Sequence, residues 1–171
     1  MILNHSIIMS KFTVGVSINK RIFILKFIIY TVVIYLILEP LEDHLVYTVA
    51  YHSYLLLRVF TEAFYYGNHI YLNGLNIEIA RACTGVIYIS IYLALILSLS
   101  KDIREVLVGL PLLLVIYCGN LLRILLTGIF GIIFIEGVYL VHEVVGYLIT
   151  PIFSVIAVII YLKILSKMRS K

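Results

Sequence analysis

Residues 83–127 read CTGVIYISIYLALILSLSKDIREVLVGLPLLLVIYCGNLLRILLT. Two apolar runs, Cys83 to Ser100 and Glu105 to about Thr127, flank a short polar turn that carries Lys101 and Arg104. Each run approaches the ~20 residues a helix needs to cross a bilayer, so the segment reads as two antiparallel transmembrane helices. Upstream, Ile22 to Leu38 is apolar except for Lys26, which lies about one turn in and can snorkel to the headgroups. No small-residue cleavage site is visible there, so this run reads as an anchor and not as a removed signal peptide. Downstream, His142 to Lys163 is a fourth apolar run. Composition points the same way. Of 171 residues, 63% are hydrophobic and 13% charged, and the mean hydropathy is +1.13. Soluble domains are about a quarter charged, and disorder requires low hydrophobicity with high charge, so both classes are excluded. Two cysteines exclude a disulfide scaffold.

Charge distribution sets the expected orientation. Ten of the 13 basic residues (Lys11, Lys20, Arg21, Lys26, Lys101, Arg104, Lys163, Lys167, Arg169 and Lys171) fall on one side of a four-span topology. Only Arg58, Arg81 and Arg123 remain opposite. The positive-inside rule makes the basic side cytoplasmic, with both termini inside. Seven of the nine acids, Glu39, Glu42, Asp43, Glu62, Glu78, Glu136 and Glu143, fall on the other side. The segment Leu41 to Gly67 is apolar but carries Glu42, Asp43, His44, His52, Arg58, Glu62 and five tyrosines. Tyrosine favours the interface, and mid-bilayer charge is costly. We read 41–67 as an outer interfacial or re-entrant helix, with a fifth span as the alternative. Asn68 to Glu78 reads as a small extracytoplasmic β-hairpin turning at Asn73-Gly74. The expected architecture is an all-α integral membrane protein with about four transmembrane helices (22–38, 83–100, 105–127 and 142–163) in one polytopic domain, 1–171, in the plasma membrane.

Depth arithmetic then selects three side chains. Cys83 lies about 20 residues before the basic turn, Arg123 about 20 after it, and His142 lies 21 before Lys163. At ~1.5 Å per residue each sits ~30 Å from a cytoplasmic anchor, the thickness of the hydrocarbon core. A thiol, a guanidinium and an imidazole thus reach one level at the outer interface on three helices. Ser90 and Ala94 share a helical side with Cys83, Gly119, Asn120 and Thr127 flank Arg123, and Gly146 lies one turn from His142; small residues at such spacing mark close helix packing. Taken singly, Cys83 reads as a packing residue and Arg123 and His142 as interfacial anchors. Together they fit nucleophilic chemistry. The thiolate is the nucleophilic form of cysteine and cations favour it, Cys–His pairs recur in acyl transfer, and an arginine can hold a carboxylate or an oxyanion. Cys118 lies five residues inward from Arg123 on nearly the opposite face and reads as core. No metal-ligand spacing, glycine-rich phosphate loop or C-x-x-C motif is present, so no metal, cofactor or nucleic acid is expected.

The residues Arg81-Ala-Cys83-Thr84-Gly85-Val-Ile resemble the A-C-S/T-G-I signature of the exosortase/archaeosortase family. Asn120-Leu-Leu-Arg123-Ile124 resembles that family's N-x-x-R-I motif, and His142 matches its third position. The resemblance covers roughly residues 68–163 and leans towards an archaeosortase-type member. It implies a polytopic cysteine protease/transpeptidase that acts on secreted proteins ending in a short motif, an apolar helix and a basic tail. The resemblance also implies that the new C-terminus passes to an amine acceptor, with a membrane lipid as the implied carrier. By resemblance Cys83 is the nucleophile and Arg123 and His142 complete the site, with Arg81, Thr84, Gly85 and Asn120 as supporting positions. Many relatives have more spans than this chain. An alternative of another class is a non-enzymatic membrane subunit, a transporter or assembly partner, in which Arg58, Arg81 and Arg123 only anchor to lipid and Cys83 only packs.

Overall fold

The computed structural model describes residues 20–134 and 137–170, with backbone alone at 138, 139 and 141. Lys11, Glu136 and Lys171, which entered the sequence reading, lie outside the described residues. The chain opens with α1 (Lys20–Leu38), which passes through one 3-10 turn, Glu39–Leu41, into α2 (Glu42–Leu57). Pro40 sits at the start of that turn, where its missing N–H and fixed φ are tolerated. The apolar helical run therefore continues for 38 residues. The 41–67 segment is thus a helix followed by a turn and a strand.

Three short strands come next, β1 (Ala63–Tyr66), β2 (His69–Leu72) and β3 (Leu75–Glu78), in an antiparallel meander of order β1-β2-β3. The Asn73-Gly74 turn joins β2 to β3 with Leu72 opposite Leu75, and Gly74 supplies the positive φ, 80°, that such a turn requires. The expected hairpin is therefore present. It gains a third strand, β1, from residues read in the sequence as part of the interfacial segment. Beyond the sheet lie α3 (Val86–Leu99), α4 (Ile103–Gly109), a 3-10 turn at Leu110–Leu112, α5 (Leu113–Ile133) and α6 (Val138–Arg169).

Among the described residues, Lys20–Leu57, Ile103–Ile133 and His142–Arg169 are long and apolar enough to cross a membrane. Helix α3 has only 14 residues, about 21 Å at 1.5 Å each. The span expected from Cys83 thus starts as α-helix only at Val86. The reason is Gly85, whose φ of 79° is left-handed and closes the regular helix there. Two packed cores follow. One joins α2, the sheet and α5 through Val49, Ala50, Leu57, Ile70, Ile79 and Ile124. The other joins α3, α5 and α6 through Tyr92, Ile96, Ile116, Ala157 and Tyr161. Helices α5 and α6 touch at Gly119, where any added methyl would overlap the Phe153 side chain. Ser90 and Ala94 are fully buried, as their spacing implied. Helix α1 packs on α3 but buries no residue fully, and Ile24, Leu25, Ile28, Val32 and Leu36 remain exposed. A contiguous apolar surface of this kind suits lipid and not water.

The end of the molecule opposite the sheet is closed by ions and hydroxyls. Arg169 Nε and Nη2 donate to Glu105 Oε1 and Oε2, both at 2.7 Å, and Nη2 also donates to the Leu99 carbonyl at 2.8 Å. Glu105 further accepts from the Lys101 backbone N–H at 2.6 Å. The Asp102 side chain caps α4, Ser100 and Tyr161 hydroxyls pair at 2.8 Å, and Tyr92 donates to the Gly109 carbonyl at 3.0 Å. Removing one member of such a buried pair leaves an uncompensated charge, which costs about 3 kcal/mol. Arg169→Met should therefore lower the thermal midpoint of the detergent-solubilised protein, and adding Glu105→Gln should restore part of the loss.

Candidate active site

The site is assembled on a turn. Ile79 is buried, and the chain leaves β3 to form the 3-10 turn Arg81–Cys83, in which the Cys83 N–H donates to the Ala80 carbonyl at 2.8 Å. Thr84 closes it, donating backbone N–H and side-chain Oγ1 to the Arg81 carbonyl at 3.0 and 2.7 Å. Gly85 follows with its positive φ, and a Cβ there would stand 3.3 Å from Asn120 Cγ. Glycine is needed both for the left-handed backbone and for this approach. Asn120, from α5, donates Nδ2 to the Cys83 carbonyl at 2.7 Å and is 1% exposed.

One helical turn along α5, Arg123 is 8% exposed and its Nε has no hydrogen-bond partner among the described residues. Cys83 is 9% exposed, and His142, near the start of α6, is exposed. Cys83, Arg123 and His142 line one cavity of about 250 Å³, together with Ile124, Thr127 and the strand Leu75–Ile79. A second cavity, lined by Ala82, Tyr88, Arg123, His142, Glu143 and Tyr147, lies against the same arginine and histidine. The structure therefore brings the thiol, guanidinium and imidazole together. It also brings in Thr84, Gly85 and Asn120, which shape the turn beneath the thiol.

Arg81 is placed differently. It points away from the cavity and forms a two-point ion pair with Asp43 at the start of α2, Nε to Oδ1 at 2.7 Å and Nη2 to Oδ2 at 2.8 Å. The Asp43 carboxylate raises the Arg81 pKa above its ordinary value. The pair is exposed, so it positions the turn more than it stabilises the fold. Asp43 was not singled out in the sequence; an acid in the first turn of a helix, 38 residues from its partner, gives no local signal.

Two sequence expectations are corrected. Cys118 is exposed and not core. The buried positions of α5 are 116, 119, 120, 123, 124, 127, 128 and 131, and Cys118 falls on the opposite, outward face, which is as apolar as the interior because it suits lipid. Gly146 does not mediate close helix packing, since nothing lies within 4 Å of a Cβ built there; it lines the second cavity.

The transmembrane exosortase family matches residues 7–162. The chain is also 34% identical over 152 residues to a probable archaeosortase E of Methanocaldococcus jannaschii, covering 88% of this chain and 83% of that protein. No solved structure gives a significant match. The chain is a multi-pass membrane protein and belongs to the exosortase/archaeosortase family.

Because Asn120 is the cross-helix donor to the Cys83 carbonyl, Asn120→Ala should strand a buried acceptor, costing about 1–3 kcal/mol. The measurement is the thermal midpoint together with the rate at which iodoacetamide alkylates Cys83: the midpoint should fall and the rate should rise as the turn loosens. Gly85→Ala should act in the same direction, since an L-residue at this φ costs about 1–2 kcal/mol.

Proposed function

We propose that the protein is a membrane-embedded cysteine protease/transpeptidase acting on the extracytoplasmic side. The observation that carries the reading is the single cavity shared by a buried thiol, a buried guanidinium with an unpartnered Nε, and an imidazole. The substrate is a secreted protein whose C-terminus bears a short motif, an apolar helix and a basic tail. His142 takes the Cys83 proton, and the thiolate attacks the scissile carbonyl. Arg123 holds the developing oxyanion from a buried position, where such a contact is worth more than in water. The C–N bond breaks as His142 returns the proton to the leaving amine. A thioester joins Cys83 to the new C-terminus, and a second amine, carried by a membrane lipid, displaces the thiol to form an amide. The basic ends and turn support a topology with both termini in the cytoplasm, in which the cavity and the sheet face outside.

Cys83→Ala and Cys83→Ser should both abolish processing while the protein accumulates normally in the membrane, whereas Cys118→Ala should process normally. Serine preserves the shape but is far harder to deprotonate, so normal cleavage by either Cys83 variant would overturn the nucleophile role.

Arg123→Lys should lose processing at normal protein level, because a point charge cannot reproduce a planar two-point donor; Arg58→Lys, away from the cavity, should be tolerated. Equal behaviour of the two variants would remove any special role for Arg123.

Orientation is checked on intact cells with a membrane-impermeant thiol reagent. It should label a cysteine introduced at Asn73 in the β2–β3 turn without disruption of the membrane.

A further inference from the structure

We propose that the free edge of β3 is the docking site for the extended segment of the protein substrate beside the cleaved bond, which adds to the sheet as a fourth strand. The proposal rests on the reading of the cavity given above and names how that cavity holds its peptide. The sheet order leaves β1 and β3 at its two edges. Strand β1 lies against α2, with Tyr65 stacked on Tyr54 at 5.8 Å and edge-on to Tyr51 at 5.9 Å. Among the described residues, β3 has no strand on its outer side.

The register says which groups it offers. Leu75 pairs with Leu72, Ile77 with Ile70, and the Ile79 N–H donates to the Asn68 carbonyl at 2.9 Å. Antiparallel pairs alternate between bonded and non-bonded positions, so 75, 77 and 79 turn their backbone groups to β2. Asn76 and Glu78 therefore turn an N–H and a C=O each to the free side. Among the described residues, no loop or turn backbone bond reaches either of them. Free edges recruit extended chains unless a proline, a charge or a bulge blunts them; Leu75-Asn76-Ile77-Glu78 carries no proline or lysine, and its one charge, Glu78, stands at the last position of a four-residue strand.

The edge also faces the chemistry. Residues Leu75–Ile79 form one wall of the cavity that holds Cys83 and Arg123. Arg123 is more than nine-tenths buried, lines that cavity, and has an Nε without a partner among the described residues. A peptide carbonyl delivered along β3 would satisfy it. Strand addition draws affinity from the main chain and specificity from alternate side chains. On the side of Leu75 and Ile77, facing Ile124, those side chains meet an apolar wall and should be apolar themselves.

The test uses the full-length protein with a secreted reporter that carries the C-terminal motif, apolar helix and basic tail of a protein encoded in the same genome and cleaved by the wild type. Asn76→Pro and Glu78→Pro each remove an edge N–H while leaving the β2 ladder intact, since proline is accommodated on the outer side of an edge strand. Each should lower kcat/KM by about tenfold or more through KM, while Ala63→Pro, which removes an outer N–H from the other edge strand, β1, stays within about twofold. Unchanged cleavage by both β3 proline variants, or an equal loss in Ala63→Pro, would overturn the proposal.

An unchanged rate of Cys83 alkylation by iodoacetamide shows that the turn is intact in each variant. If a proline variant fails that check, benzoylphenylalanine at Asn76 in the Cys83→Ala background decides. It should cross-link to the reporter segment just before the apolar helix, and benzoylphenylalanine at Phe64 on β1 should not. Absence of that cross-link, or equal cross-linking from both edges, counts against strand addition. Cleavage that survives Cys83→Ala would instead overturn the nucleophile assignment and leave the edge result to stand or fall by itself.

Discussion

The bond from Asn120 Nδ2 to the Cys83 carbonyl, 2.7 Å across 37 residues of sequence, is the constraint on which the geometry of the site depends. It fixes a short turn to a long helix. Once the turn is held there, Gly85 must pass close to the asparagine side chain, and the chain must take a left-handed residue before α3 can start. Arg123 then stands one turn further along the same helix, so the asparagine that holds the Cys83 carbonyl and the arginine that lines its cavity come from one element. A side-chain amide buried in an apolar surround is costly unless bonded, so this contact favours one register of α5 against the turn.

The rest of the molecule divides into two ends with different chemistry. At one end the sheet and α2 build an apolar roof whose wall is β3, and the site lies beneath it. At the other, Glu105, Arg169, Tyr92, Ser100 and Tyr161 form a bonded polar knot around the α3–α4 turn. Between them α5 and α6 are drawn together at Gly119. The knot holds the helix ends, so α3 and α6 can open a cavity around His142 at the far end without separating below.

Much of this was legible in the sequence where local signals are strong. The apolar runs and the basic turn gave the helices, Asn73-Gly74 gave the hairpin, and the shared depth of Cys83, Arg123 and His142 anticipated the residues that line one cavity. What escaped has physical causes. Ala63–Tyr66 is four residues long and aromatic, and nothing in so short a run separates a strand from a helix end. Cys118 looked buried because a lipid-facing surface is as apolar as a core, so hydrophobicity does not rank the two in a membrane. Asp43–Arg81 and Glu105–Arg169 join residues 38 and 64 apart, and no periodicity reports such pairs. Gly85 was read as part of a signature, but its left-handed backbone, which moves the helix start to Val86, became visible only with the turn in place.

The span of the Glu105–Arg169 pair has a consequence for biogenesis. The carboxylate is made 64 residues before its guanidinium partner, so α4, α5 and nearly all of α6 leave the ribosome while Glu105 is still uncompensated. During that interval the carboxylate must stay in the headgroup region or take a proton. The Asn120–Cys83 bond can already hold α5 to the turn in that interval, while the far end of α6 stays untied until Arg169 arrives. The ion pair is then a latch set after insertion, and chains stalled before it would present a loose helix hairpin to the membrane quality-control proteases.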